Sequence, residues 1–197
     1  IQLMGGRESF LKKLDQNFDE KHYRHDNEPG HHYVYLYNYC NELAKTQQRI
    51  PEILASNYKN QPDGLSGNDD CGQMSAWYIL STMGFYQVAP ASNVYVLGTP
   101  RFANASIALS NGKTFDIEAE NVSDTNFYVK EVYWNGEPYH KSYITADMLS
   151  NGGKLKMVMS AEPNKEFGLA PESRPVAKIT DYVYSVEDLL KSPLSYE

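Results

Sequence analysis

Apolar residues recur at a helical period over residues 1–90 of this chain and at a strand period afterwards. From Arg7 to Phe18, the side chains of Phe10, Leu11, Leu14 and Phe18 share one helical face, while Lys12, Lys13 and Asp15 face water. His22 to Pro29 is polar and reads as a loop, with a proline suited to the first turn of a new helix. Tyr33, Leu36, Tyr37 and Cys40 then follow at three- and four-residue steps, which predicts a buried aromatic helix over 30–40. A further helix is expected over 45–56, with Pro51 either bending it or marking its first turn. Residues 61–72 (QPDGLSGNDDCG) form a loop by composition, and 73–83 an apolar helix stopped by Gly84.

Beyond Pro90 the period is two. Phe115, Ile117 and Ala119 alternate with Thr114, Asp116 and Glu118, and a second strand runs from Tyr128 to Trp134. Asn135-Gly136 is a strong hairpin signal. Thr145 can cap one helical turn through Leu149, and Gly152-Gly153 leads into a strand over 154–159. The fold class expected is α+β, with a helical segment at 1–90 and an antiparallel β-segment at 91–168. A tail at 169–197, with Pro171, Pro175 and Pro193, has no assignable pattern.

Composition narrows the class. Of 197 residues, 41% are hydrophobic and 22% charged, which suits a folded globular chain. No apolar run reaches the roughly 18 residues of a membrane span. A net charge of −7 argues against nonspecific binding to nucleic acid or anionic membrane. Two cysteines, Cys40 and Cys71, are too few for a disulfide scaffold and read as free, buried small hydrophobes. Sixteen tyrosines suit stacking on polar, uncharged ligands, sugars among them. The opening IQLMGG reads like the interior of a longer polypeptide, or a mature terminus left by cleavage.

Two acidic loops carry the candidate chemistry. Asp26-Asn27-Glu28-Pro29-Gly30-His31-His32 gathers carboxylate, amide and imidazole groups, and Gly67-Asn68-Asp69-Asp70-Cys71-Gly72-Gln73 precedes the helix over 73–83. Asp and Asn before a helix are commonly N-caps. One cap needs one side chain, however, and Asn68, Asp69 and Asp70 supply three. Counted from Ser66, an EF-hand fails, because Cys71 and Trp77 fall where Gly and Glu are needed. His22/His25 and His31/His32 lack partners at zinc spacing. Oxygen donors on Asn27, Glu28 and Asn68 suit a hard cation such as Ca²⁺. Asn104-Ala-Ser106 and Asn121-Val-Ser123 match the glycosylation pattern, which matters in a eukaryotic secretory host.

DNEPGHHYVYLYNY (26–39), GNDDCGQMSAWYILSTMGFY (67–86) and NVYVLGTPRF (93–102) together resemble the C-terminal part of glycoside hydrolase family 92, the calcium-dependent exo-α-mannosidases. The opening LMGGRESFLKKLD and the NGKTF and NGEPY turns are similar to it as well, so the resemblance runs from about Ile1 to Gly168. It implies the last helices of an (α/α)6 barrel followed by β-structure. The implied reaction is inverting hydrolysis, in which one carboxylic acid protonates the leaving oxygen and a carboxylate opposite activates water. Asp70 matches the base, with Asp69 orienting its neighbours and Asn68 as a metal ligand or water-positioning group. Asn27 and Glu28 match the loop where Ca²⁺ grips the mannose 2- and 3-hydroxyls. His31, His32 and Trp77 match sugar-pocket positions, and a core role stays open for each.

The family's general acid is a Glu upstream of the MGG stretch, whereas Glu8 and Glu20 sit on a surface helix. The resemblance therefore implies half an active site, acting on mannose-containing glycans and completed by the remainder of the same polypeptide, namely the upstream barrel half and an N-terminal β-sandwich. A barrel divided here would expose helix faces, with oligomerisation or poor solubility as the consequence. The implied location is periplasmic, secreted or at the cell surface. A non-catalytic carbohydrate-binding module and a structural piece are the alternative classes.

Overall fold

The computed structural model describes residues 1–175 and shows a mixed α+β architecture. Pro193 and the rest of the tail beyond Pro175 lie outside the described residues. Three helices open the chain: α1 (Arg7–Asp19), α2 (Leu43–Asn57) and α3 (Gln73–Met83). Gly84 ends α3 in the left-handed conformation, as its position after the apolar run predicts. Pro51 stands inside α2 rather than at its first turn. An interior proline costs about 3 kcal/mol. Burial of Ile50, Ile53 and Leu54 on either side of it works against that cost.

The expected aromatic α-helix is corrected. Tyr33–Cys40 is a 3₁₀ run. Its burial repeats every three residues: Val34, Tyr37 and Cys40 are buried in one row and Tyr35 and Asn38 in a second, while Tyr33, Leu36 and Tyr39 stay partly exposed. A 3₁₀ helix has three residues per turn, so side chains at i and i+3 eclipse and line such rows. Two hydrogen bonds tie the run into the core, from Thr46 Oγ1 to the Val34 carbonyl and from Asn38 Nδ2 to the Leu97 carbonyl.

Strands β1 (Phe85–Tyr86), β2 (Val94–Leu97), β3 (Asn104–Ala108), β4 (Thr114–Glu120), β5 (Tyr128–Trp134), β6 (Glu137–Pro138) and β7 (Tyr143–Thr145) follow. Helix α4 (Ala146–Asn151) and strand β8 (Gly153–Ser160) complete the order. Thr145 caps α4 by accepting from the Met148 amide, and Asn135-Gly136 turns β5 into β6, both as the sequence predicts. Five strands pair in the order β3-β4-β8-β5-β6. The β-segment is not wholly antiparallel: β4 and β8 run parallel, and the other pairs in that sheet are antiparallel. A parallel pair needs a long crossover. The β5–β6 hairpin, β7 and α4 provide it.

The smaller sheet, β1-β2-β7, is the wall between two cores. Successive side chains point to opposite faces of a strand. Tyr86 and Val96 therefore join the helical core of Val34, Tyr35, Ile50 and Trp77, while Phe85, Leu97 and Ile144 join the sheet core of Phe115, Ile117, Leu155 and Met157. Phe167, just before the tail, is buried in the sheet core, and the first part of the tail is tied down by two bonds: the Ser142 amide donates to the Ser173 carbonyl at 2.7 Å, and Arg174 Nη1 donates to Asn41 Oδ1 at 3.1 Å.

Candidate active site

The two acidic loops meet. The Asn68 amide donates to the Asp26 carbonyl at 3.3 Å. A Cβ at Gly67 would stand 2.3 Å from that same carbonyl oxygen, so the contact requires glycine there. In the first loop, Asn27 is extended and exposed and leads into a 3₁₀ turn, Glu28–Gly30, with Pro29 in its first turn. Arg24 Nε donates to Asp26 Oδ1 at 3.1 Å, and the pair holds the Asp26 carboxyl below its ordinary range. In the second loop, Asp70–Gly72 is a 3₁₀ turn in which Cys71 and Gly72 are both left-handed. Left-handed backbone at a residue with a Cβ costs about 1–2 kcal/mol. Such strain sits here beside the candidate base. Cys71 is exposed, which corrects the expectation that both cysteines are buried; Cys40 is.

The three polar residues before α3 divide their tasks. Gly72 holds the N-cap position of α3, and Asp69 serves the helix end from before it: its carboxylate accepts from the Ser75 amide at 2.9 Å and from Ser75 Oγ at 2.7 Å. Those bonds, the amide first, pull its pKa below the usual carboxylate value. Asn68 and Asp70 are exposed beside it, and that division leaves both free for other work. Among the described residues no group of three or more His, Cys, Asp or Glu gathers as a metal site. The donor set expected from the sequence, Asn27, Glu28 and Asn68, contains two amides and one carboxylate.

Behind the loops lies a polar aromatic network that periodicity did not reveal. Trp77 is fully buried and donates from Nε1 to the His31 carbonyl at 2.9 Å. Its ring lies parallel to Tyr58, 6.0 Å between centroids, and edge-on to His25 at 4.3 Å. The Tyr58 hydroxyl donates to the Met74 carbonyl at 3.0 Å. Having one proton, it must accept from His25 Nε2, 2.7 Å away. His25 Nδ1 is then an acceptor and takes the Tyr23 hydroxyl at 2.8 Å. Burial, with the neighbouring His31, pulls the His25 pKa down to about 3, in keeping with this neutral tautomer.

His31 is buried as well. Its Nε2 donates to the His25 carbonyl at 3.0 Å, while its Nδ1 is buried without a partner, as is Glu28 Oε1. His32 is half-buried, and burial lowers its pKa. The structure thus joins the two loops at Asp26, Gly67 and Asn68, so that Asn27 and Glu28 follow the junction on one loop and Asp69 and Asp70 on the other, while His31 and Trp77 are buried and bonded to each other. Tyr58, Tyr23 and His25 are additions. The HYRHDNEP stretch carried a signal in its Tyr23 and His25, whereas Tyr58 becomes a neighbour only through tertiary packing.

The class is that of the glycoside hydrolases. Residues 1–161 match the sequence model of the glycosyl hydrolase family 92 catalytic domain. A family 92 α-mannosidase from Bacteroides thetaiotaomicron, solved in complex with mannoimidazole, is 45% identical with a TM-score of 0.82, over 87% of this chain and 25% of that one. A family 92 inverting mannosidase from the same organism is 31% identical with a TM-score of 0.80, over 88% of this chain and 27% of that one. A secreted glycosidase of Arthroderma benhamiae, itself uncharacterised, is 30% identical over 82% of this chain and 21% of its own length. The chain belongs to glycosyl hydrolase family 92, and it spans about a quarter of the length of these solved relatives.

Proposed function

We propose that this chain supplies the base loop and the metal loop of an inverting, Ca²⁺-dependent exo-α-mannosidase that removes terminal mannose from glycans. The observation that carries the reading is Asp70: an exposed carboxylate on a loop fastened by Asn68 and Gly67 to the Asn27–Glu28 loop. The α-mannosidase likeness of the solved relatives supports the substrate class, and the inverting relative supports the stereochemistry.

In this reading Asp70 takes a proton from water on the face of the ring opposite the leaving group. Asn68 orients that water, and Asp69, held by Ser75, fixes the loop. His32 meets the sugar from the half-buried rim, with His31 and Trp77 as the wall that sets its position. Oxygen donors on Asn27, Glu28 and Asn68 suit Ca²⁺, and the unpaired buried Glu28 Oε1 supports that fit. Those residues would hold the ion, which would supply a hard positive charge to the mannose 2- and 3-hydroxyls and favour ring distortion.

The general acid comes from the remainder of the polypeptide, across the roughly 6.5–9.5 Å that separates two inverting carboxyls. The same remainder, the other helices of an (α/α)6 barrel and an N-terminal β-sandwich, covers the groove of about 850 Å³ where Tyr78, Ile79 and Phe102 are exposed. No helix among the described residues is long and apolar enough to cross a membrane, and the secreted relative supports a location outside the cytoplasm. Proton NMR of the sugar first released from an aryl α-mannoside by the full-length protein tests the reaction. β-Mannose is expected; α-mannose released first contradicts inversion.

A further inference from the structure

The Tyr58 hydroxyl joins three parts of the site. Tyr58 ends α2 in extended backbone, donates to the Met74 carbonyl in the first turn of α3, and accepts from His25 Nε2. His25 opens the loop that carries Asn27 and Glu28, and α3 is the helix whose Ser75 amide donates to Asp69. The direct backbone bond between the two loops, Asn68 to Asp26, is 3.3 Å, at the long end of the hydrogen-bond range. The link through Tyr58 is shorter at each step and better buried.

We propose that Tyr58 is a positioning residue for hydrolysis, its hydroxyl fixing the spacing between the Asn27–Glu28 loop and the Asn68–Asp70 loop. The inference rests on the reading of Asp70 as base. A carboxylate misplaced by 1 Å costs on the order of 10²-fold in rate, while sugar contacts spread over several groups hold affinity. The loss therefore falls on kcat rather than KM.

Tyr58→Phe in the full-length protein removes both hydrogen bonds and keeps the ring stacked on Trp77. Active sites are counted by calorimetric titration with mannoimidazole. The expected result is a kcat per active site lower by roughly 10- to 100-fold, with KM changed by less than about twofold. A residue that only supports the fold would lower the melting temperature and leave kcat per active site intact; that result, or kcat within about twofold of the parent, overturns the inference. Should Tyr58→Phe fail to fold, two variants of its partner decide. His25→Gln keeps an N–H donor for the hydroxyl and is expected to retain several-fold more kcat than His25→Leu; equal values overturn the inference. A parent protein that turns over no mannoside sinks the mannosidase reading instead, and an Asp70→Asn variant with parental kcat sinks the reading of Asp70 as base.

Discussion

The two cores are built by opposite rules. Around β4 and β8 the buried side chains are apolar, the backbone groups are paired by ladders, and the acidic residues Glu118 and Glu120 lie on the outer face against Lys154 and Lys156. Around Trp77 the buried set is polar as well as aromatic: His25, His31 and the Tyr35 hydroxyl are enclosed and His31 Nδ1 goes unpaired, while in the flanking loops the exposed Cys71 is left-handed and Glu28 Oε1 lacks a partner. A sheet core gains from every side chain it hides. Strain and unspent hydrogen-bonding capacity suit the site proposed here, where a ligand would supply the missing partners. The sheet is expected to respond to mutation in stability, and the loops in rate.

On the proposed Ca²⁺ dependence, the largest effect expected to separate them is that of chelation. Chelation should abolish mannoside hydrolysis by the full-length protein and leave its far-UV circular dichroism unchanged, and Ca²⁺ should restore activity better than Zn²⁺. Full activity in excess chelator would break the comparison. Next in size, Leu155→Ala opens the sheet core, where Leu155 is fully buried. Denaturant titration should show a loss of about 2–5 kcal/mol, with kcat per folded molecule unchanged. Smaller again is the hairpin. Asn135 is left-handed and its Oδ1 accepts from the Lys154 amide at 2.8 Å. Asn135→Ala should cost about 1–2 kcal/mol, again without touching kcat.

What the sequence told follows the same division. Local signals were legible: Gly84 stops α3, Thr145 caps α4, and Asn135-Gly136 makes its turn. Each is settled within four residues. The 3₁₀ form of Tyr33–Cys40 was not legible, because periods of 3.0 and 3.6 place apolar residues alike over two turns. The parallel pairing of β4 with β8 is a long-range choice that alternation leaves open. At the site, the redundancy of Asn68, Asp69 and Asp70 pointed to more than capping, and geometry then gave the Ser75 amide at the start of α3 to Asp69. The Tyr58–His25 link spans two segments whose contact no local pattern encodes.

Whether Asp70 is the base is tested most directly by its dependence on the leaving group. Removing a general base leaves water unactivated whatever departs, whereas removing a general acid is forgiven when the leaving group is already a good one. Asp70→Asn in the full-length protein should lower kcat by roughly 10²- to 10⁴-fold, and by a similar factor on a dinitrophenyl α-mannoside and on an α-mannobiose. A variant that keeps near-parental turnover of the dinitrophenyl mannoside while losing the disaccharide would make Asp70 the acid and contradict the account.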